Sequence, residues 1–387
     1  MGCQRALWFE GVKRPSCSRP CTPVRGLGDR LLEWHPAAAL ALALRSRVHL
    51  PVLAGHRQSH EQISADALRN YYSFPPHVQL AQCEPQRPRG MRCANVSGCR
   101  RRRPEKFALR EPSKFYACFH MWESVEGEAR RLGVSRASFK AARRHAVVAP
   151  ATALLAAVDE RLRVAEAEAE AEAAAVATAA AATSATARAR DNRERDGGSG
   201  YSGAAEGRAP RALVVLHVRQ GDFFSARAAR ARRRSAVALV AGDAAAAAAS
   251  RARVEDLLVA AASLLHRGGC ASRVLVQVAT DGTLLPAAAL TARLRLQGLV
   301  VGGESASGLH PNASHAARTG VAATAADYAL MWRAAGLLSL VAGRGYSAFP
   351  YSVAAQRRVP IAFLPTAAFA GAPHVVSEDT FCSAVTA

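Results

Sequence analysis

The residues best equipped for chemistry are His217, Arg219 and Asp222, which close an apolar run beginning at Leu213 and spell His-x-Arg-x-Gly-Asp. A short apolar run bounded by polar residues predicts a buried strand over 212–218 that gives way to a loop at Arg219. Open α/β sheets bind ligands at the carboxyl ends of their strands. An arginine there presents a planar fork of donors that fits phosphate oxygens, and charge-assisted bonds of that kind are the strong ones. Asp222 could orient the guanidinium or accept a proton. The structural alternative is a buried His-Arg-Asp network that only holds a loop.

Two further polar loops follow apolar runs. Residues 273–279 predict a strand ending in Ala279-Thr280-Asp281-Gly282, and the Asp281 carboxylate could accept hydrogen bonds from a ribose or a base edge. Asp281 could equally cap a helix beginning near Thr283. After residues 337–341, Gly343, Gly345 and Ser347 would allow close backbone approach to a phosphate, with the N-terminus of the next helix as an anion site.

Near the start of the chain, Gly26-Leu27-Gly28 is a turn and Asp29 a helix-capping residue, ahead of a helix over 31–44 and a strand over 47–53. Leu31 stands where a dinucleotide fingerprint has its third glycine, and no phosphate-loop lysine or Asp-x-Asp pair occurs. A metal-independent transferase fits this set better than a dehydrogenase, a kinase or a metal-dependent enzyme.

These loops need elements to hold them. From residue 211 onward strands and helices alternate, which is the doubly wound plan whose loops converge on one edge. The 387 residues suggest two domains: 20–164, and 211–387 carrying the three loops. Between them, 165–210 is an Ala-Glu helix followed by a Gly-Ser linker, read as an insertion without chemistry. Residues 57–112, rich in Pro, Arg and Cys with a tetrad at Arg100 to Arg103, read as irregular, with further helices expected near 130–144 and 150–163.

A formal charge of +21 would suggest nucleic acid, yet only four of the basic residues are lysines and the arginines accompany an alanine excess. No aromatic-basic interleaving or reader motif joins them, so no specific nucleic-acid partner is expected and an arginine-decorated solvent face is the simpler reading. Seven of the nine cysteines lie in the first third without zinc-ribbon spacing, which favours disulfides, and Asn95 and Asn312 head glycosylation sequons. No run reaches the ~20 apolar residues of a membrane helix, and the first residues lack a signal-peptide core.

Taken in order, these segments resemble the fucosyltransferase superfamily of GT-B fold, which takes in protein O-fucosyltransferases, α-(1,6)- and α-(1,2)-fucosyltransferases and plant xyloglucan fucosyltransferases. Residues 23–53 are similar to its Gly-Leu-Gly-Asn/Asp-Arg-Leu turn, small-residue helix and strand. Residues 217–222 resemble its His-x-Arg-x-Gly-Asp, 279–281 its Ala-Thr-Asp, and 345–349 its Gly-x-Ser-x-Phe, with Asp327 upstream where the superfamily commonly has Asp. The likeness covers about residues 22–56 and 211–365.

The resemblance implies two Rossmann-like domains facing across a cleft. It implies GDP-fucose as donor, a glycan or glycoprotein hydroxyl as acceptor, no metal or other cofactor, and a single inverting displacement. Arg219 would pair with the β-phosphate, with His217 beside it. Asp281 and Asp327 would serve the nucleoside side; Ser347, Ala348 and Phe349 would line the pyrophosphate and base pocket. Gly26, Gly28, Asp29 and Arg30 would face the sugar. Asp222 and Asp29 are the candidates for general base. The implied setting is the Golgi or endoplasmic reticulum lumen, reached through a leader that this sequence lacks; without one the setting would be cytosolic. Pro36 inside the first helix, Gly282 where many relatives carry a second acid, and Ala348 in place of a frequent hydroxyl depart from the pattern. The other readings are a catalytically inactive relative that binds nucleotide and an Arg-rich polyanion-binding protein.

Overall fold

The computed structural model describes residues 6–13, 27–53, 64–86, 90–93, 105–110, 121–191, 211–219, 236–280, 285–302, 313–341, 347–364 and 374–387. In chain order the first half runs β1 (Ala6–Lys13), α1 (Leu27–Ala43), β2 (Arg47–Leu53), α2 (Ala65–Tyr71), β3 (Tyr72–Ser73), β4 (Val78–Gln86), β5 (Gly90–Cys93), β6 (Glu105–Arg110), α3 (Met121–Arg131), α4 (Arg136–His145), β7 (Ala149–Pro150) and α5 (Thr152–Asp191). The second half runs β8 (Ala212–Arg219), α6 (Ala236–Arg267), β9 (Val274–Thr280), α7 (Ala287–Leu296), α8 (Ala313–Arg333), β10 (Gly336–Val341), α9 (Ala348–Arg357), β11 (Ile361–Leu364) and α10 (Glu378–Thr386).

The chain is α/β and built on two main sheets. The second has the order β11-β10-β8-β9, with every neighbouring pair parallel. Both its faces are covered, so its strands read as continuous apolar runs. Alternation sorts the side chains: Val214, Leu216, Val218, Val276, Val278, Leu338 and Leu340 pack with Leu258 and Leu265 of α6, Leu290 of α7 and Phe381 of α10. The other face carries Val215, Ala279, Leu337, Ile361 and Phe363, which share a core with α1, α8, α9 and the first sheet.

The first sheet has the order β5-β4-β2-β1-β6, parallel except for β5 against β4. It departs from the sequence expectation in two ways. Its strand β1 lies ahead of residue 20, where the first domain was expected to begin. Residues 57–112, expected to be irregular, supply α2 and four strands. Their pattern is faint because β5 and β6 are edge strands; Glu105 and Lys106 of β6 are exposed while Phe107 is buried.

Helix α1 lies inside the fold. Ala37 to Ala41 are completely buried, and the helix packs against α4 and α9. Small side chains let neighbouring helices approach, and Pro36 is held within α1 without ending it. The helix starts at Leu27, so Asp29 belongs to its first turn instead of capping it. Helix α5 carries the Ala-Glu tract in one 40-residue helix, about 60 Å long, which runs straight through the expected boundary at 164/165. Among the described residues no helix is long and apolar enough to cross a membrane. A disulfide joins Cys270, just after α6, to Cys382 in α10; Cys83 is also disulfide-bonded.

Candidate functional site

The site is assembled at the carboxyl end of the second sheet. Arg219 is the last residue of β8 and Thr280 the last of β9, and the strands are in register Val218 to Thr280. The Thr280 hydroxyl donates to the Val218 carbonyl at 2.8 Å, tying the two strand ends together. The loops bearing Asp222 and Asp281 therefore leave from neighbouring points. Helix α7 begins at Ala287 with Pro286 as its N-cap, so Asp281 does not cap it.

The third loop returns to the chain at Ser347, the N-cap of α9, whose side chain makes no capping bond to its own helix. Ser347 and Ala348 are buried. The Phe349 ring lies 6.2 Å from the His217 ring and 5.6 Å from Tyr328, which in turn meets Tyr72 of the first half at 5.4 Å. A row of aromatic contacts thus runs from β3 through α8 and α9 to β8.

The amino-terminal turn reaches the same place. A β-carbon added at Gly28 would lie 2.6 Å from the Phe349 Cα and 2.7 Å from its backbone nitrogen, closer than real contacts allow. Only glycine lets the first turns of α1 and α9 touch, so Gly28, Ser347, Ala348 and Phe349 come together although more than 300 residues separate them in the chain. Arg30, two residues further into α1, is 5% exposed, and Asp327 of α8 is 6% exposed. Charged groups that deep are held by partners or by ligand.

Electrostatically the site favours anions. Arg219 brings a fixed positive charge, and the N-terminus of α9 adds its partial positive charge. His217 is pushed down to about 3, first by burial and then by the Arg219 charge, so it is neutral at physiological pH. Among the described residues no group of three His, Cys, Asp or Glu is placed to hold a metal ion. Gly26, Asp222, Asp281, Gly282, Gly343, Gly345, the sequon residues Asn95 and Asn312, the Arg100 to Arg103 tetrad and the Asp29 side chain lie outside the described residues.

Three residues at the site escaped sequence reading. Ser339 sits beside His217 in β10, and a serine inside an otherwise apolar strand is the signal that marks it. Tyr328 and Gln356 form a buried ring of bonds with Val148: the Val148 N–H donates to Gln356 Oε1 at 2.8 Å, Gln356 Nε2 donates to the Tyr328 hydroxyl at 2.8 Å, and that hydroxyl donates to the Val148 carbonyl at 3.3 Å. The ring fixes α8 and α9 to the segment before β7. Comparison of the chain with protein-family models, with curated proteins and with solved structures finds no match.

Proposed function

We propose that the protein is a glycosyltransferase that moves L-fucose from GDP-fucose to a hydroxyl of a glycan or glycoprotein, without a metal and with inversion. The observation that carries this reading is the contact of Gly28 with Phe349, because it joins the amino-terminal turn to the Ser347-x-Phe349 segment beside His217 and Arg219. The described parts of the segments that resemble the fucosyltransferase superfamily support this reading, since Gly28 meets Phe349, Phe349 lies near His217 and the end of β9 is tied to the end of β8; a cleft between the two halves would open at this point.

In this reading Arg219 and the N-terminus of α9 hold the diphosphate. The bond from the fucose anomeric carbon to the β-phosphate oxygen breaks as the acceptor oxygen attacks from the opposite face. Arg219 stabilises the charge that collects on departing GDP, the kind of electrostatic help that is commonly the largest contribution. The acceptor proton goes to a carboxylate, with Asp222 and Asp29 as candidates. Asp281 meets the nucleoside, and Phe349 walls the pocket. The Cys270–Cys382 bond supports maturation in an oxidising compartment such as the secretory lumen.

Calorimetric titration with GDP in the absence of added metal tests the reading. Binding in the low-micromolar to millimolar range, lost in Arg219→Ala, is expected; undiminished binding by Arg219→Ala would refute the site. GDP-fucose binding with neither hydrolysis nor transfer across an acceptor screen would instead identify a nucleotide-binding relative that lacks catalysis. Steeply salt-dependent duplex binding with no response to GDP would point to a polyanion binder.

A further inference from the structure

Ser339 is completely buried in β10, between Leu338 and Leu340, and its hydroxyl oxygen has no hydrogen-bond partner among the described residues. A buried hydroxyl without a partner costs about 1–3 kcal/mol, and alanine would pack there without that cost. The cost points to a partner supplied in the working protein.

The register names the neighbour. Ser339 stands opposite His217 of β8, and the His217 Nδ1 is likewise buried without a partner among the described residues. The same row continues to Phe363 of β11 beyond Ser339 and to Ala279 of β9 beyond His217. Two residues earlier in the strands, the same face carries Leu337 and Val215. These four flanking side chains are apolar, and two residues later the same face carries Arg219, which is a donor only; Ser339 is thus the neighbour in the row whose hydroxyl can reach toward the ring nitrogen. No direct bond joins them, whereas a single water needs only two to four such partners to be held.

We propose that Ser339 is a positioning residue for His217: through one bridging water it satisfies Nδ1 as an acceptor and so keeps the imidazole proton on Nε2. A neutral imidazole has one donor and one acceptor nitrogen, and the partner at one fixes the role of the other. With Nδ1 accepting, Nε2–H is the nitrogen that donates to a phosphate oxygen held by Arg219. The other tautomer would turn a lone pair toward the anion. This rests on the anion-binding reading of the site, so its test uses a signal that needs no ligand.

The experiment is long-range proton–nitrogen NMR on ligand-free protein labelled in histidine, with the His217 signal assigned from its loss in His217→Gln. An unprotonated Nδ1 is expected in the wild type, and a mixture of tautomers in Ser339→Ala. GDP affinity should fall roughly five- to tenfold in Ser339→Ala, the worth of about one hydrogen bond. If Ser339→Ala does not fold, Ser339→Cys, of similar volume and a much weaker donor, gives the same comparison. A protonated Nδ1 in the wild type, or a tautomer unchanged in the variant, overturns the proposal. Tautomer control by Ser339 with no GDP binding in the wild type would leave the positioning role standing and refute the donor assignment.

Discussion

Gly28 and Phe349 meet backbone to backbone: a β-carbon on Gly28 would lie 2.6 Å from the Phe349 Cα. Gly28→Ala gains up to about 1 kcal/mol of helix propensity, but the overlap is with backbone that cannot rotate away, and overpacking of this kind costs about 1–3 kcal/mol. A net loss of stability is expected in thermal unfolding, together with a loss of GDP affinity of at least about tenfold, since roughly 1.4 kcal/mol at the site suffices. Wild-type stability and affinity in the variant would show that the two turns are not coupled.

Tyr328→Phe keeps the ring that stands between Tyr72 and Phe349 and removes only the hydroxyl. The Gln356 amide and the Val148 carbonyl then each lose a partner in a buried setting, so a loss of about 1–3 kcal/mol is expected. In a double-mutant cycle with Gln356→Leu the two effects should be less than additive, because both changes open the same ring of bonds. Strict additivity in denaturant titrations would argue against that ring.

The Cys270–Cys382 bond spans 112 residues, and closing a loop of about that length stabilises by about 4–5 kcal/mol in the chain-entropy model. Cys382→Ala should lower the melting temperature, and reductant should have a smaller effect on the variant than on the wild type. Gly268 shares this dependence, since a β-carbon there would run into Cys382. An equal response of both proteins to reductant would place the stabilisation elsewhere.

Acid should destabilise the fold through two histidines. His35 and His217 are each pushed down to about 3, chiefly by burial, and His35 is held neutral with its Nε2 against the Arg143 carbonyl at 3.1 Å. Their folded values lie below the unfolded value of 6.5, so the unfolded chain takes up protons first. Stability from these groups is intact above about pH 6.5 and is lost as pH falls from there toward 3, by at most about 1.4 kcal/mol per pH unit for each histidine. Urea midpoints measured between pH 7.5 and 4.5 should show this slope, reduced in His35→Gln; an equal slope in that variant would exclude His35 as a source.

The second sheet was legible in the sequence and the first was not, for a physical reason. Strands β8 to β11 are covered on both faces, so each shows as an apolar run, and the ends of those runs located Arg219 and the segment beginning at Ser347. Strands β4 to β6 lie toward the edges of their sheet, and charged residues such as Glu105 and Lys106 hide them. Periodicity placed His217 on a strand but could not show that Ser339, more than a hundred residues later, would stand beside it. That relationship exists only in the parallel register of β8 with β10. Nor could local sequence show that Gly28 belongs inside a helix, since its presence there answers to Phe349 on another element.

The core that α1 shares with α9 reaches from Phe9 in one sheet to Phe363 in the other without interruption. Each half thus leaves apolar surface for the other to cover. The order of events during synthesis is constrained accordingly: α4 can cover one side of α1 early, but until the chain has been made as far as α9 the opposite part of that helix lacks its partner. The first half therefore completes its packing only when the second arrives.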